Sequence, residues 1–260
     1  VKQSLRHLLI PWWNAYSFLV TYARIDGWKP AAAGDVSRAS SPPPTPNLLD
    51  RWILSALERL THQVVEAMDD YDLQRSVRPF VQFIEELTNW YIRRSRRRFW
   101  KSSDDADKAQ AYQTLHTVLL RLSRITAPFL PFISEAIHRN LRTPDLPESV
   151  HLCDYPEARD GARDLALEEQ MEEVIKVVEL GRQVRTQFDL KVRQPLRRMR
   201  VVCHDAERLA RVQALQELVA DELNVREVLF STQETDLAAL SAKADFKKLG
   251  RQLGPRMKQA

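Results

Sequence analysis

Apolar residues recur three and four positions apart along most of this chain, the period of a helix with one buried face. Leu5, Leu8, Leu9, Trp12, Trp13, Tyr16, Phe18, Leu19 and Tyr22 follow that spacing, with Pro11 set to interrupt or kink it. From Asn47, a residue suited to capping, a second stripe runs through Leu49, Trp52, Ile53, Leu57, Leu60, Val64 and Met68. The next helix is predicted from Asp72 or Pro79 through Phe80, Phe83, Ile84, Leu87 and Tyr91 towards Trp100. Another begins near Ser103-Asp104-Asp105 and carries Tyr112, Leu115, Leu119, Leu122 and Ile125 as far as Pro128. A shorter one follows Pro131 with Phe132, Ile133, Ile137 and Leu141. Amphipathic helices joined by short connections pack most simply as an antiparallel, up-and-down bundle.

After Pro144 and Pro147 the pattern changes. Val150 to Cys153 is a short extended candidate. Residues 163–187 form a long helical stretch, with Leu167, Met171, Val174, Val178 and Leu180 inward and Glu168, Glu169, Glu172 and Glu173 outward. Leu196 to Cys203 has strand character, 205–221 helix character, and Val225 to Ser231 strand character again. The expected architecture is mainly α: a helical bundle over 1–145 and a small α/β module over 146–260 that ends in a basic tail. Residues 29–46, KPAAAGDVSRASSPPPTP, carry little apolar bulk and are expected to be a linking loop. The helical pattern is already running at Val1 without a visible cap, as in a piece of a longer protein.

Composition supports this picture. Only 6 glycines against 14 prolines, in 260 residues, leave too little turn material for a β-sandwich or a phosphate-cradling α/β enzyme. No apolar run approaches the roughly 20 residues of a membrane span, so no membrane partner is expected. Cys153 and Cys203 form neither a disulfide framework nor a metal-ligand spacing, which favours a reducing, cytoplasmic setting. His7, His62, His116, His138, His151 and His204 are scattered singly, and GxxxxGK[ST], GxGxxG and HExxH are all missing. No catalytic residue, metal site or cofactor is therefore expected in this chain. It is expected to bind rather than to catalyse.

The net charge of +4 is small, so its distribution matters more than its size. The stretch from Arg93 to Lys101 contains no acidic residue. On an ideal helix Arg93, Arg94, Arg97, Arg98 and Lys101 share an arc of roughly 140°, with Arg96 about 60° beyond one edge. Trp90 and Trp100 fall in or beside that arc, where packing alone would not place large rings. Cations for phosphates and flat rings for unpaired bases are what single-stranded RNA recognition requires. The five arginines and Lys101 are therefore candidate phosphate contacts, and Trp90 and Trp100 candidate stacking platforms. Arg193, Arg197 and Arg198 form a second, weaker basic group within a stretch that also holds Arg182, Arg185, Lys191 and Arg200. Two other readings stay open at this point: a solvated charged face, and a helical scaffold meeting an acidic protein partner.

Five segments carry a resemblance. PWWNAYSFLVTYARIDGW (11–28), TNWYIRRSRRRFW (88–100), LKVRQPL (190–196), DELNVREVLF (221–230) and FKKLGRQLG (246–254) resemble isoleucyl-tRNA synthetases of the eukaryote-like bacterial type, in the region after the catalytic core. Ala244-Asp245 replaces the Pro-Asn usual in that family before the phenylalanine at 246. The resemblance implies a class I aminoacyl-tRNA synthetase, which joins isoleucine to its tRNA using ATP and Mg. It also implies that this chain is a C-terminal, anticodon-binding fragment, expected to be inactive alone. The implied partners are isoleucine-accepting tRNA and the catalytic and editing domains of the same polypeptide, in a monomeric protein. The equivalent region of a valine or leucine synthetase is the alternative within the class.

Overall fold

The structure is a computed structural model that describes residues 5–30, 47–101, 105–159 and 161–233, with the backbone alone at Lys101 and Asp105. The proline-rich stretch from residue 31, Ser103-Asp104 and the basic tail lie outside the described residues. The chain divides into two compact units, Val1–Glu168 and Glu169–Ala260.

The first unit is helical. A π-helical turn at Leu5–Leu9 leads into α1 (Ile10–Ile25), and Pro11 lies in the first turn of α1, where the helical winding changes from π to α. Asn47 caps α2 (Leu48–Asp69) by accepting from the Leu49 amide at 2.9 Å. Tyr71 turns the chain in the left-handed region, φ 57°. Asp72 then caps α3 (Leu73–Glu85) through the Arg75 amide at 2.8 Å. A π-helical segment, Glu86–Ile92, joins α3 directly to α4 (Arg93–Lys101). α5 (Asp105–Thr126) and α6 (Pro131–Leu141) complete the bundle, the latter with proline at its first position. Trp12, Trp52, Phe80, Phe83, Tyr91, Phe99 and Tyr112 fill its core.

Residues 146–168 belong to this bundle, so the division falls later than the expected one at 145/146. The reason is a buried polar network on α2. Glu58 accepts from both terminal nitrogens of Arg121 and, at 2.7 Å, from Arg159. Burial pushes the Glu58 carboxyl up, but the two guanidiniums outweigh it and hold it below the usual range. Glu168 accepts from Ser55 and, at 2.7 Å and 3.2 Å, from Arg163 and Arg59. Glu168 is thus buried, not outward as its helical phase suggested. Val150–Leu152 is a 3-10 turn, not the expected extended segment.

α7 (Leu165–Gln187) carries the chain into the second unit. There β1 (Leu196–Val202), α8 (Ala206–Ala214), α9 (Gln216–Leu223) and β2 (Val225–Ser231) form a β-α-β unit with a helical crossover in two pieces. The strands pair in parallel, Leu196 opposite Val225 and Val202 opposite Ser231. Met171, Val174, Val178, Val212, Val219 and Leu223 are buried, whereas Leu180 is exposed, contrary to its expected inward placement.

Candidate nucleic-acid interface

The basic segment is helical as predicted, but the π-helical turn before it changes what each residue faces. Bonding from residue i to i+5 winds the chain more slowly than 100° per residue, so an ideal-helix phase drawn through Trp90 is in error. Trp90 is only 6% exposed. Arg93 lies across its remaining surface, with Cζ 5.9 Å from the ring centre and Nε donating to the Asn89 carbonyl at 2.7 Å. A ring enclosed in this way has no face to offer a base. This corrects the expectation of a stacking platform at Trp90.

Arg98 is corrected as well. Its side chain is 11% exposed and meets Asp50 fork to fork, through two bonds of 2.8 Å. Its Nε donates to Asp107 at 2.9 Å, and Tyr91 donates its hydroxyl to Asp50 at 2.7 Å. Burial alone would lower the guanidinium pKa, but Asp50 and Asp107 raise it above its ordinary value. The Tyr91 phenol is pushed well up, by burial first and by Asp50 next. Arg98 therefore ties α4 to α2 and α5, and its charge is spent inside the bundle.

What α4 presents outward is narrower than the sequence arc. Arg96 and Arg97 are exposed, Arg93 and Arg94 partly buried. Trp100 is 50% exposed, and the Arg96 guanidinium lies 5.9 Å from its ring centre. α1 supports this ring from behind: Tyr22 sits 5.8 Å from Trp100, and Phe18 meets Phe99 edge-on at 5.0 Å. Sequence reasoning did not place Tyr22 at the site. Its only signal is the i, i+4 relation to Phe18, which marks a stripe but not its neighbour. The Lys101 side chain lies outside the described residues.

The second basic group does not form one patch. Arg197 and Arg198 are neighbours in β1, so their side chains leave opposite faces of the sheet. Arg198 is paired with Glu227 across the strands at 2.8 Å. Arg193 is exposed in the loop before β1.

No group of three or more His, Cys, Asp or Glu residues that could hold a metal occurs among the described residues. His138 Nε2 lies 3.0 Å from the Pro147 carbonyl and 3.8 Å from Cys153 Sγ. Burial lowers the His138 pKa and raises that of Cys153, the opposite of an activated thiolate pair. No described helix is long and apolar enough to cross a membrane.

Residues 50–200 match the family described as the anticodon-binding domain of tRNA ligase. Over 260 residues, all of this chain, it is 47% identical to an isoleucine–tRNA ligase of Protochlamydia amoebophila. An isoleucine–tRNA ligase of Treponema denticola is also 47% identical across the whole chain. That of Chlamydia muridarum is 42% identical over 99% of it. The chain spans 24% of the length of each of these relatives.

Proposed function

On the premise that this chain belongs to the anticodon-binding domain family of tRNA ligases, we propose that it binds the anticodon arm of isoleucine-accepting tRNA. In that reading it positions the tRNA for ATP-dependent aminoacylation, with Mg, by catalytic and editing domains elsewhere in the same polypeptide. The observation that carries it is the exposed Arg96–Trp100 pair, cation against ring face, with Arg97 exposed on the same helix. A half-open indole stacks on any unpaired base, and the adjacent guanidiniums neutralise phosphates. The contact residues are Arg96, Arg97 and Trp100, with Arg93 and Arg94 at the margin of the patch. Isoleucine is preferred over valine or leucine because the similarity to isoleucine–tRNA ligases covers the whole chain.

Titration of this chain with isoleucine-accepting tRNA and with an anticodon-swapped tRNA, at two salt concentrations, tests the reading. Tighter binding of the cognate tRNA, weakening steeply with salt, is expected. Equal affinity for both would leave RNA binding and remove anticodon recognition. No binding of either would remove both.

A further inference from the structure

The loop between α7 and β1, residues 188–195, is exposed yet fixed by an unusual arrangement. α7 closes with the Phe188 amide donating to Val184 at 3.2 Å, and the Leu190 amide to Arg185 at 2.8 Å, around a left-handed Asp189 (φ 52°). A turn follows in which the Gln194 amide donates to the Lys191 carbonyl at 2.9 Å. Beneath the turn lies Arg185, which is buried and whose partners are all backbone carbonyls. It donates to Lys191 at 2.9 Å, to Gln194 at 3.2 Å and to Leu223 at 2.5 Å. Asn224, left-handed at φ 49°, completes the support: its Nδ2 donates to the Val192 and Arg193 carbonyls, both at 3.1 Å. Four successive carbonyls, residues 191 to 194, therefore point inward.

In a trans peptide the N–H points opposite to the C=O, and the described residues contain no cis bond. The amides of Val192 and Arg193 share peptide planes with the carbonyls of 191 and 192, so they face solvent. Among the described residues neither amide donates to a protein acceptor. Lys191 and Arg193 are exposed on either side of these amides. Among the described residues no ion pair engages Lys191 or Arg193, and no carboxylate answers Arg185. The acids closest in sequence are Asp189, within the loop, and Glu179, on α7. Two outward amides, two flanking cations and a buried, uncompensated guanidinium behind them form an anion-binding concavity. Phe188, 65% exposed, adds an aromatic ring at the start of the same loop.

We propose that the Lys191–Arg193 turn is a preformed contact for a backbone phosphate of bound RNA, positioned by Arg185 and Asn224. This rests on the tRNA-binding reading above but on a separate part of the chain. An RNA phosphate suits the turn better than a free anion because the site is open to solvent. A shallow site holds one phosphate weakly, whereas a polyanion that also contacts other cations gains from every release of counterions.

The test uses the whole chain, labelled with nitrogen-15, and two double variants, Lys191→Ala/Arg193→Ala and Arg96→Ala/Arg97→Ala. Isoleucine-accepting tRNA should shift the Val192 and Arg193 amide resonances of the parent. The Lys191→Ala/Arg193→Ala protein should bind that tRNA roughly tenfold more weakly at low salt, with the log–log salt slope reduced by about 1–2. If it binds like the parent while Arg96→Ala/Arg97→Ala weakens, the loop contact is wrong and the tRNA-binding reading stands. If inorganic phosphate moves the two amides but tRNA does not, the turn is a free-anion site and the proposal is overturned. If the parent binds no tRNA, the reading of function fails first and the loop contact falls with it.

Discussion

Arg98 and Asp50, 48 residues apart in sequence, meet through two N–H···O bonds of 2.8 Å with the Asp50 side chain fully buried. Breaking one side of such a pair leaves the other charge buried and unanswered, which costs about 3–5 kcal/mol. Asp50→Ala is therefore expected to lower unfolding stability by that amount in urea titrations. Tyr91→Phe, which removes the phenol's bond to Asp50 and its longer one, 3.4 Å, to the Ala111 carbonyl, should cost about 1–2 kcal/mol.

The two tryptophans of the basic segment should separate cleanly. Trp90→Ala removes a core ring and is expected to cost about 3–5 kcal/mol of stability. Trp100→Ala should leave the thermal midpoint nearly unchanged and cost about 1–3 kcal/mol of tRNA affinity. Melting curves and binding isotherms of both proteins decide this. An unfolded Trp100→Ala protein would place that ring in the core instead.

Arg96 and Arg97 are expected to act through charge. Replacing either with alanine should weaken cognate and non-cognate tRNA about equally. The salt slope should fall by about 0.7–0.9 for each phosphate that is no longer neutralised. Arg98→Ala, by contrast, should show its main effect in the unfolding curve.

Stability should depend on pH through His116. Burial lowers its pKa, and the Leu141 carbonyl 2.8 Å from Nε2 only partly restores it. With the folded pKa below the unfolded value of about 6.5, the unfolded chain binds more protons in the interval between them. Stability is thus complete above about pH 6.5 and is lost as pH falls towards the folded pKa. His116→Gln, which keeps a donor for Leu141, should flatten this loss in urea midpoints measured at pH 7.5 and 5.5. Comparing the two proteins at each pH cancels Glu86, whose burial-raised pKa acts in the opposite sense.

Gly181 on α7 admits the buried Leu223 side chain so closely that an added Cβ would collide with it. Alanine gains up to about 1 kcal/mol of helix propensity but overpacks at a cost of about 1–3 kcal/mol. Gly181→Ala is expected to destabilise by about 1 kcal/mol, read by calorimetry.

Much of the fold was legible because its signals are local. Asn47 and Asp72 announce helix starts through bonds that span two or three residues, and Pro131 does so by its ring. The β-α-β unit followed from alternating strand and helix character. Glu168 was misread because its helical phase says nothing of Ser55 and Arg59, more than a hundred residues earlier. Trp90 was misplaced because the Glu86–Ile92 π turn alters the winding, and no residue type marks such a turn. In the loop after α7, basic residues were visible in the sequence, but the inward carbonyls that shape it were not.

By itself, the sequence determined the helical class, most element boundaries and the presence of a cationic, aromatic stretch at Arg93–Lys101. These depend on capping, periodicity and charge within a few residues of one another. Only the tertiary structure decided which of those cations remain available. A guanidinium is free for phosphate or consumed by a carboxylate according to what the fold brings beside it. Asp50 consumes Arg98, while Arg96 is left over the open face of Trp100.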